Sequence, residues 1–113
     1  MQITLKGLPK ISLNKWYSGE HWTNRKKIKD QYKLIIKSQF KDVLSKEGQY
    51  EVDYMFCFKS RPLDASNCVA MVKLIEDIIF EDDRYNIVMK INISSMKVTL
   101  SESDYVIINI KDF

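Results

Sequence analysis

A chain of 113 residues with 45% apolar and 29% charged side chains has the size and composition of one globular domain, spanning residues 1–113, around one hydrophobic core. A single histidine, His21, and only two cysteines, Cys57 and Cys68, argue against a zinc cluster, a histidine-based hydrolytic triad and a disulfide framework. The net charge of +3 is unevenly spread: residues 23–46 hold eight Lys or Arg and two acids, whereas residues 61–83 hold two and six.

The opening QITLKG alternates polar and apolar residues and predicts a short strand. LPKISLNKWYSGEHWTN follows, and Pro9, Gly19 and its turn formers predict an irregular loop that carries Trp16, Tyr17 and Trp22. These aromatics either pack the loop onto the core or contact nucleic-acid bases or a partner subunit. Thr23 or Asn24 can cap the next helix, whose apolar stripe runs through Ile28, Tyr32, Ile35, Ile36, Phe40, Val43 and Leu44 and ends at Gly48. Its opposite side carries Lys26, Lys29, Lys33, Lys37 and Lys41, a ridge that reads either as a solvated face or as a phosphate-binding one.

QYEVDYMFCFK alternates and then turns wholly apolar, a strand that is more buried toward its end, and Arg61-Pro62 breaks it. SNCVAMVKLIEDIIF predicts a second helix, with Ser66 or Asn67 as cap and Val69, Val72, Ile75 and Ile79 as its inner stripe. EDDR marks the exit. YNIVMKINISS and DYVIINIKDF predict two last strands, paired as a hairpin through residues 94–104. The expected class is α+β, in the order β-α-β-α-β-β, with a mixed sheet packed by two helices. No apolar run resembles a signal peptide or reaches the length of a bilayer span, which points to a cytoplasmic protein without a membrane partner.

Asp64 lies just ahead of the second helix and Asp82 and Asp83 just after it. The ends of a helix of about 14 residues stand about 20 Å apart, so these acids converge only if the chain after the helix folds back beside the strand ending at Lys59. Converging carboxylates need a cation, and magnesium, with manganese as substitute, suits hard oxygen donors and a phosphodiester substrate. Such an ion polarises a phosphoryl oxygen and lowers the pKa of a bound water. Lys73 or Arg61 is placed to offset charge on the phosphorus. Of the two adjacent aspartates Asp83 is preferred as ligand, since neighbours on a strand face opposite sides.

The stretches LPKISLNKWYSGEHW and RPLDASNCVAMVKLIEDIIFEDDRYNIV resemble the two signature regions of the RusA-like Holliday junction resolvases. Asp64 and Asn67 match the start of the central signature, Lys73 and Asp77 its lysine and aspartate, and Asp82-Asp83 its closing pair. The resemblance implies a homodimeric, magnesium-dependent endonuclease of phage or bacterial origin that cuts four-way DNA junctions. It implies Asp64, Asp77, Asp82 and Asp83 as metal ligands, and Lys73 as a catalytic group beside Asp64 and Asp83. Asn14, Trp16, Tyr17, Lys26, Lys29, Lys33, Lys37, Arg61 and Asn67 become the DNA-contacting candidates. Two departures bear on chemistry: Ser66 stands where the family has a second aspartate, and Ala70 falls at its usual lysine position. Either Asp77 or Glu81 compensates, or the site binds metal weakly, or the chain is a dimeric branched-DNA or single-strand binding protein without cleavage.

Overall fold

The computed structural model describes residues 1–17 and 22–113, so Gly19 and His21 lie outside the described residues. Four strands form one mixed sheet in the order β1-β4-β2-β3, where β1 is Gln2–Lys6, β2 Tyr50–Phe58, β3 Val88–Lys97 and β4 Tyr105–Asp112. Three helices accompany it: α1 (Leu13–Tyr17), α2 (Trp22–Gln39) and α3 (Val69–Ile79), the last entered through a 3-10 turn at Ala65–Cys68. The fold is thus α+β, a sheet with helices packed on one face.

Strand periodicity sets that face. In the register of β2 with β4, Val52 sits opposite Ile110, Tyr54 opposite Ile108 and Phe56 opposite Val106. β1 adds Ile3 beside Ile108 and Leu5 beside Val106. All of these side chains are buried, and α3 covers them with Ala70, Met71, Val72, Leu74, Ile75 and Ile79. Burying several such residues at about 1.5–3 kcal/mol each is the main favourable term that holds helices to sheet. The opposite face carries a polar cluster: Asn92 bonds Asp53 at 2.5 Å and Glu51 at 3.2 Å, and Lys111 stands 3.5 Å from Asp53.

The expected hairpin does not form. β3 and β4 lie on opposite sides of β2, β3 parallel to it and β4 antiparallel. Pairing with the long, apolar β2 gives both strands buried partners, which a hairpin with each other would deny to one of them. A bulge at Met89 sets the parallel register, with Tyr50 opposite Val88 and Glu51 opposite Lys90.

Two helix boundaries also differ from expectation. The loop after β1 contains α1, capped by Ser12, whose carbonyl accepts from Trp16 N at 2.9 Å and whose Oγ accepts from Lys15 N at 3.1 Å. Helix α2 ends at Gln39, well before Gly48, because the Gln39 amide clamps the backbone of Lys6 from both sides, at 2.8 Å each. Tyr32 and Ile36 are buried as the stripe predicts, but Val43 is exposed and Leu44 instead bridges to Phe80 beyond α3. The Tyr32 hydroxyl donates to the carbonyl of Pro9, tying the loop to α2.

Candidate functional site

The connection from β2 through α3 to β3 decides where the acids go. Because β3 runs parallel to β2, the chain leaving α3 must return to the Tyr50 end of the sheet before β3 starts. Asp64, which follows β2, stays at the other end: Leu63 accepts a hydrogen bond from Ser95 near the close of β3, and the Asp64 charge acts on Cys68. The strand after Asp83 does lie beside β2, as the convergence requires, but its parallel direction places Asp82 and Asp83 at the exit of α3 and Asp64 at its entry.

At that exit a different set of groups meets. Glu76 faces inward from α3 between Val72 and Ile79, is 7% exposed, and its Oε2 has no hydrogen-bond partner. Tyr54, 1% exposed on the inner face of β2, turns its hydroxyl to Glu76, and hydrogen bonding between the two favours the Glu76 carboxylate and raises the Tyr54 phenol. Burial, and after it the nearby charge of Asp83, raise the Glu76 carboxyl from 4.5 to about 7. Partial desolvation and then the same Asp83 charge raise Asp77, one residue on and exposed at the surface, while Lys29 of α2 and Lys73 pull it down. Burial followed by the charges of Glu76 and Asp83 pushes the Tyr54 phenol well above its ordinary range.

The electrostatics here contrast with the acids on the outer face of the sheet. There the hydrogen bond from Asn92, assisted by Lys111, holds Asp53 below the usual carboxylate range. Glu76, Asp77 and Asp83 form no ion pair among the described residues, although Lys73 lies close enough to act on the first two. Asp82 is already engaged: its Oδ2 pairs with Arg84 at 2.7 Å and its Oδ1 accepts from Arg84 N at 3.0 Å. Glu81 turns away to the backbone of Lys46, at 2.9 Å. The donor chemistry at the α3 exit suits a hard cation. Among the described residues no three metal-ligating side chains close on one point, but magnesium takes one or two carboxylates and keeps its waters.

The basic candidates lie nearby on α2. Lys26, Lys29 and Lys33 are exposed, Lys37 half-buried; Lys26 pairs with Asp30 at 3.1 Å and Lys37 donates to the Asp42 carbonyl at 3.4 Å. Lys29 and Lys33 make no ion pair among the described residues. Of the aromatic candidates Trp16 is buried and Tyr17 is exposed, and the Arg25 guanidinium lies over both rings, 5.3 Å and 5.8 Å from their centroids. Asn14 is exposed and Asn67 half-buried in the 3-10 turn, its N–H donating to the Asp64 carbonyl at 2.9 Å. Arg61 is exposed in a left-handed backbone conformation, φ 49°, and its carbonyl and that of Ser60 both accept from Lys10, at 2.9 Å.

Sequence reasoning singled out Asp77 and Asp83 but missed Glu76 and Tyr54. A signal for Glu76 was present, since a carboxylate four residues after Val72 and three before Ile79 falls on the apolar side of α3. Tyr54 carried none, because an inward tyrosine on a buried strand reads as core. Compared with protein-family models and with curated proteins, the chain matches none. No helix among the described residues is long and apolar enough to cross a membrane.

Proposed function

We propose that the protein binds branched DNA as a homodimer and nicks it with the help of magnesium, as the RusA-like resemblance implies. The observation that supports this reading best is the adjacency of two surfaces. The exposed lysines of α2 border the acids at the end of α3, close enough that Lys29 acts on Asp77. A lysine row attracts phosphates, and uncompensated carboxylates beside it offer a cation the place where it meets a phosphodiester. Asp83 and Asp77 are the acids that would hold it.

Bound there, magnesium supplies Lewis-acid polarisation of the phosphoryl group and a water of lowered pKa. The chain's own residues supply the rest. Lys29 and Lys33 bind the backbone of one arm, and Lys73, four residues before Asp77 on the exposed side of α3, offsets charge on the phosphorus. Two-fold symmetry of the dimer matches that of a four-way junction and accounts for paired nicks.

A second reading, junction binding without cleavage, is favoured by two observations. Ser66 replaces a carboxylate with a neutral, weaker donor, and the parallel crossover keeps Asp64 away from Asp83. Cleavage of a synthetic four-way junction across magnesium concentrations separates the readings. Paired nicks that disappear in Asp83→Asn while binding persists support the nuclease. Salt-sensitive binding with no nicks in magnesium or manganese supports the binding protein.

A further inference from the structure

We propose that the free edge of β3 is a dimerisation surface, on which β3 of a second copy of this chain pairs antiparallel about a two-fold axis. This deepens the dimer half of the reading above and rests on it only for the use made of the dimer, since the surface stands on its own geometry.

Three observations carry it. First, β3 is the longest of the four strands and the terminal one of the sheet, bonded to β2 alone. Its pairing with β2 is regular over residues 90–97, and among the described residues no backbone bond reaches residues 89–97 from the other side. Alternate residues therefore turn unpaired N–H and C=O groups outward, a template that another extended strand completes along its length. The strand holds no proline, and its one bulge lies at its start, so neither device that blunts an edge interrupts residues 90–97.

Second, the helix-facing side of β3 is apolar but poorly covered. Ile91 stands opposite Val52, which is fully buried, yet Ile91 itself is 40% exposed, and Met89 at the bulge is 39% exposed. The cover over the sheet thus thins out past β2, and these side chains are buried only when the sheet continues beyond β3.

Third, the edge is self-complementary in charge and pattern, which selects a second copy as the occupant. Lys90 is compensated within the chain by Glu51 at 4.0 Å, and Asn92 bonds Asp53 and Glu51, so this stretch presents no row of free charge to an acidic or basic strand. With Asn92 on the two-fold axis, Ile91 meets Ile93 of the second copy and Lys90 meets Ser94 of the second copy. Apolar side chains then face apolar ones on the helix side, and no two lysines oppose each other.

The experiment is sedimentation velocity of the whole protein over a range of concentrations, beside Ile91→Lys and Met89→Lys, with the fold of each checked by circular dichroism. Wild type should be dimeric at micromolar concentration, and the dissociation constant of the dimer should rise about tenfold or more in Ile91→Lys. Oxidation of Asn92→Cys tests the register. Residues directly opposite in an antiparallel pair have Cα atoms about 4.5–5.5 Å apart, within disulfide reach, and the native Cys57 and Cys68 are buried. Asn92→Cys should form a disulfide-linked dimer, and Thr4→Cys, exposed on β1 at the opposite edge of the sheet, should not. A wild type that stays monomeric overturns the proposal and leaves the edge to a strand of another protein. A dimer trapped through Thr4→Cys and not Asn92→Cys overturns it too, as does one that both lysine variants leave unweakened. Should Ile91→Lys fail to fold, Met89→Lys and the disulfide decide. A β3 dimer that neither binds nor cuts a four-way junction supports the surface and rejects only the nuclease reading. Junction cleavage by a protein that is dimeric through another surface does the reverse.

Discussion

Replacing Glu76 by glutamine should stabilise the cation-depleted protein, and by an amount that depends on pH. Burial and Asp83 raise the carboxyl from 4.5 to about 7 in the folded state, so between those values the folded chain binds more protons than the unfolded one. Stability therefore falls as pH rises through that window and levels off above it. The charged and titratable groups facing Glu76 are Asp83 from the α3 exit, Tyr54 from β2, and Lys73 and Asp77 on its own helix. By pH 8 the ionised carboxylate costs the fold about 2 to 3 kcal/mol, and at pH 5 less than about 1. Glutamine keeps the shape and loses the charge. In urea denaturation with a chelator, Glu76→Gln should shift the midpoint upward by about 1 to 2 M at pH 8, for a slope near 1.5–2 kcal/mol/M, and by much less at pH 5. Equal midpoints at pH 8, or a stabilisation no smaller at pH 5, would refute the reasoning.

Three further perturbations test other parts of the molecule. Arg61→Gly relieves a left-handed backbone that costs an L-residue about 1 kcal/mol, so it should raise stability slightly while weakening junction binding in a filter or anisotropy assay. Lys29→Ala and Lys33→Ala should each reduce the salt dependence of that binding by about one counterion without changing the melting temperature measurably. Ile75→Ala, at a fully buried position of α3, should cost about 2–5 kcal/mol and lower the melting temperature by about 10 °C or more by calorimetry.

Much of the secondary structure follows from local pattern. The alternation in QYEVDYMFCFK places Val52, Tyr54, Phe56 and Phe58 on the inner face, where the register puts them. The stripe Val72, Ile75, Ile79 likewise predicts the buried side of α3, and all three are buried there. Local pattern misleads where a distant partner overrides it. The run through Phe40, Val43 and Leu44 has helical spacing, yet Gln39 hydrogen-bonds Lys6 and Leu44 bridges to Phe80, so the helix stops early. Ser12 was a cap in plain view, but the turn formers around it masked a helix of five residues.

The candidate site divides in the same way. The sequence by itself determined which residues carry charge: the lysines of α2 are four apart on a helix, so they form one face, and the carboxylates cluster between residues 64 and 83 because they are written there. Which of those carboxylates meet was decided by the tertiary structure alone. A strand's alternation is the same whether it pairs parallel or antiparallel, so nothing in YNIVMKINISS distinguishes a hairpin with β4 from a parallel edge beside β2. That direction of pairing keeps Asp64 at one end of α3, carries Asp83 to the other, and brings it to Glu76 and Tyr54.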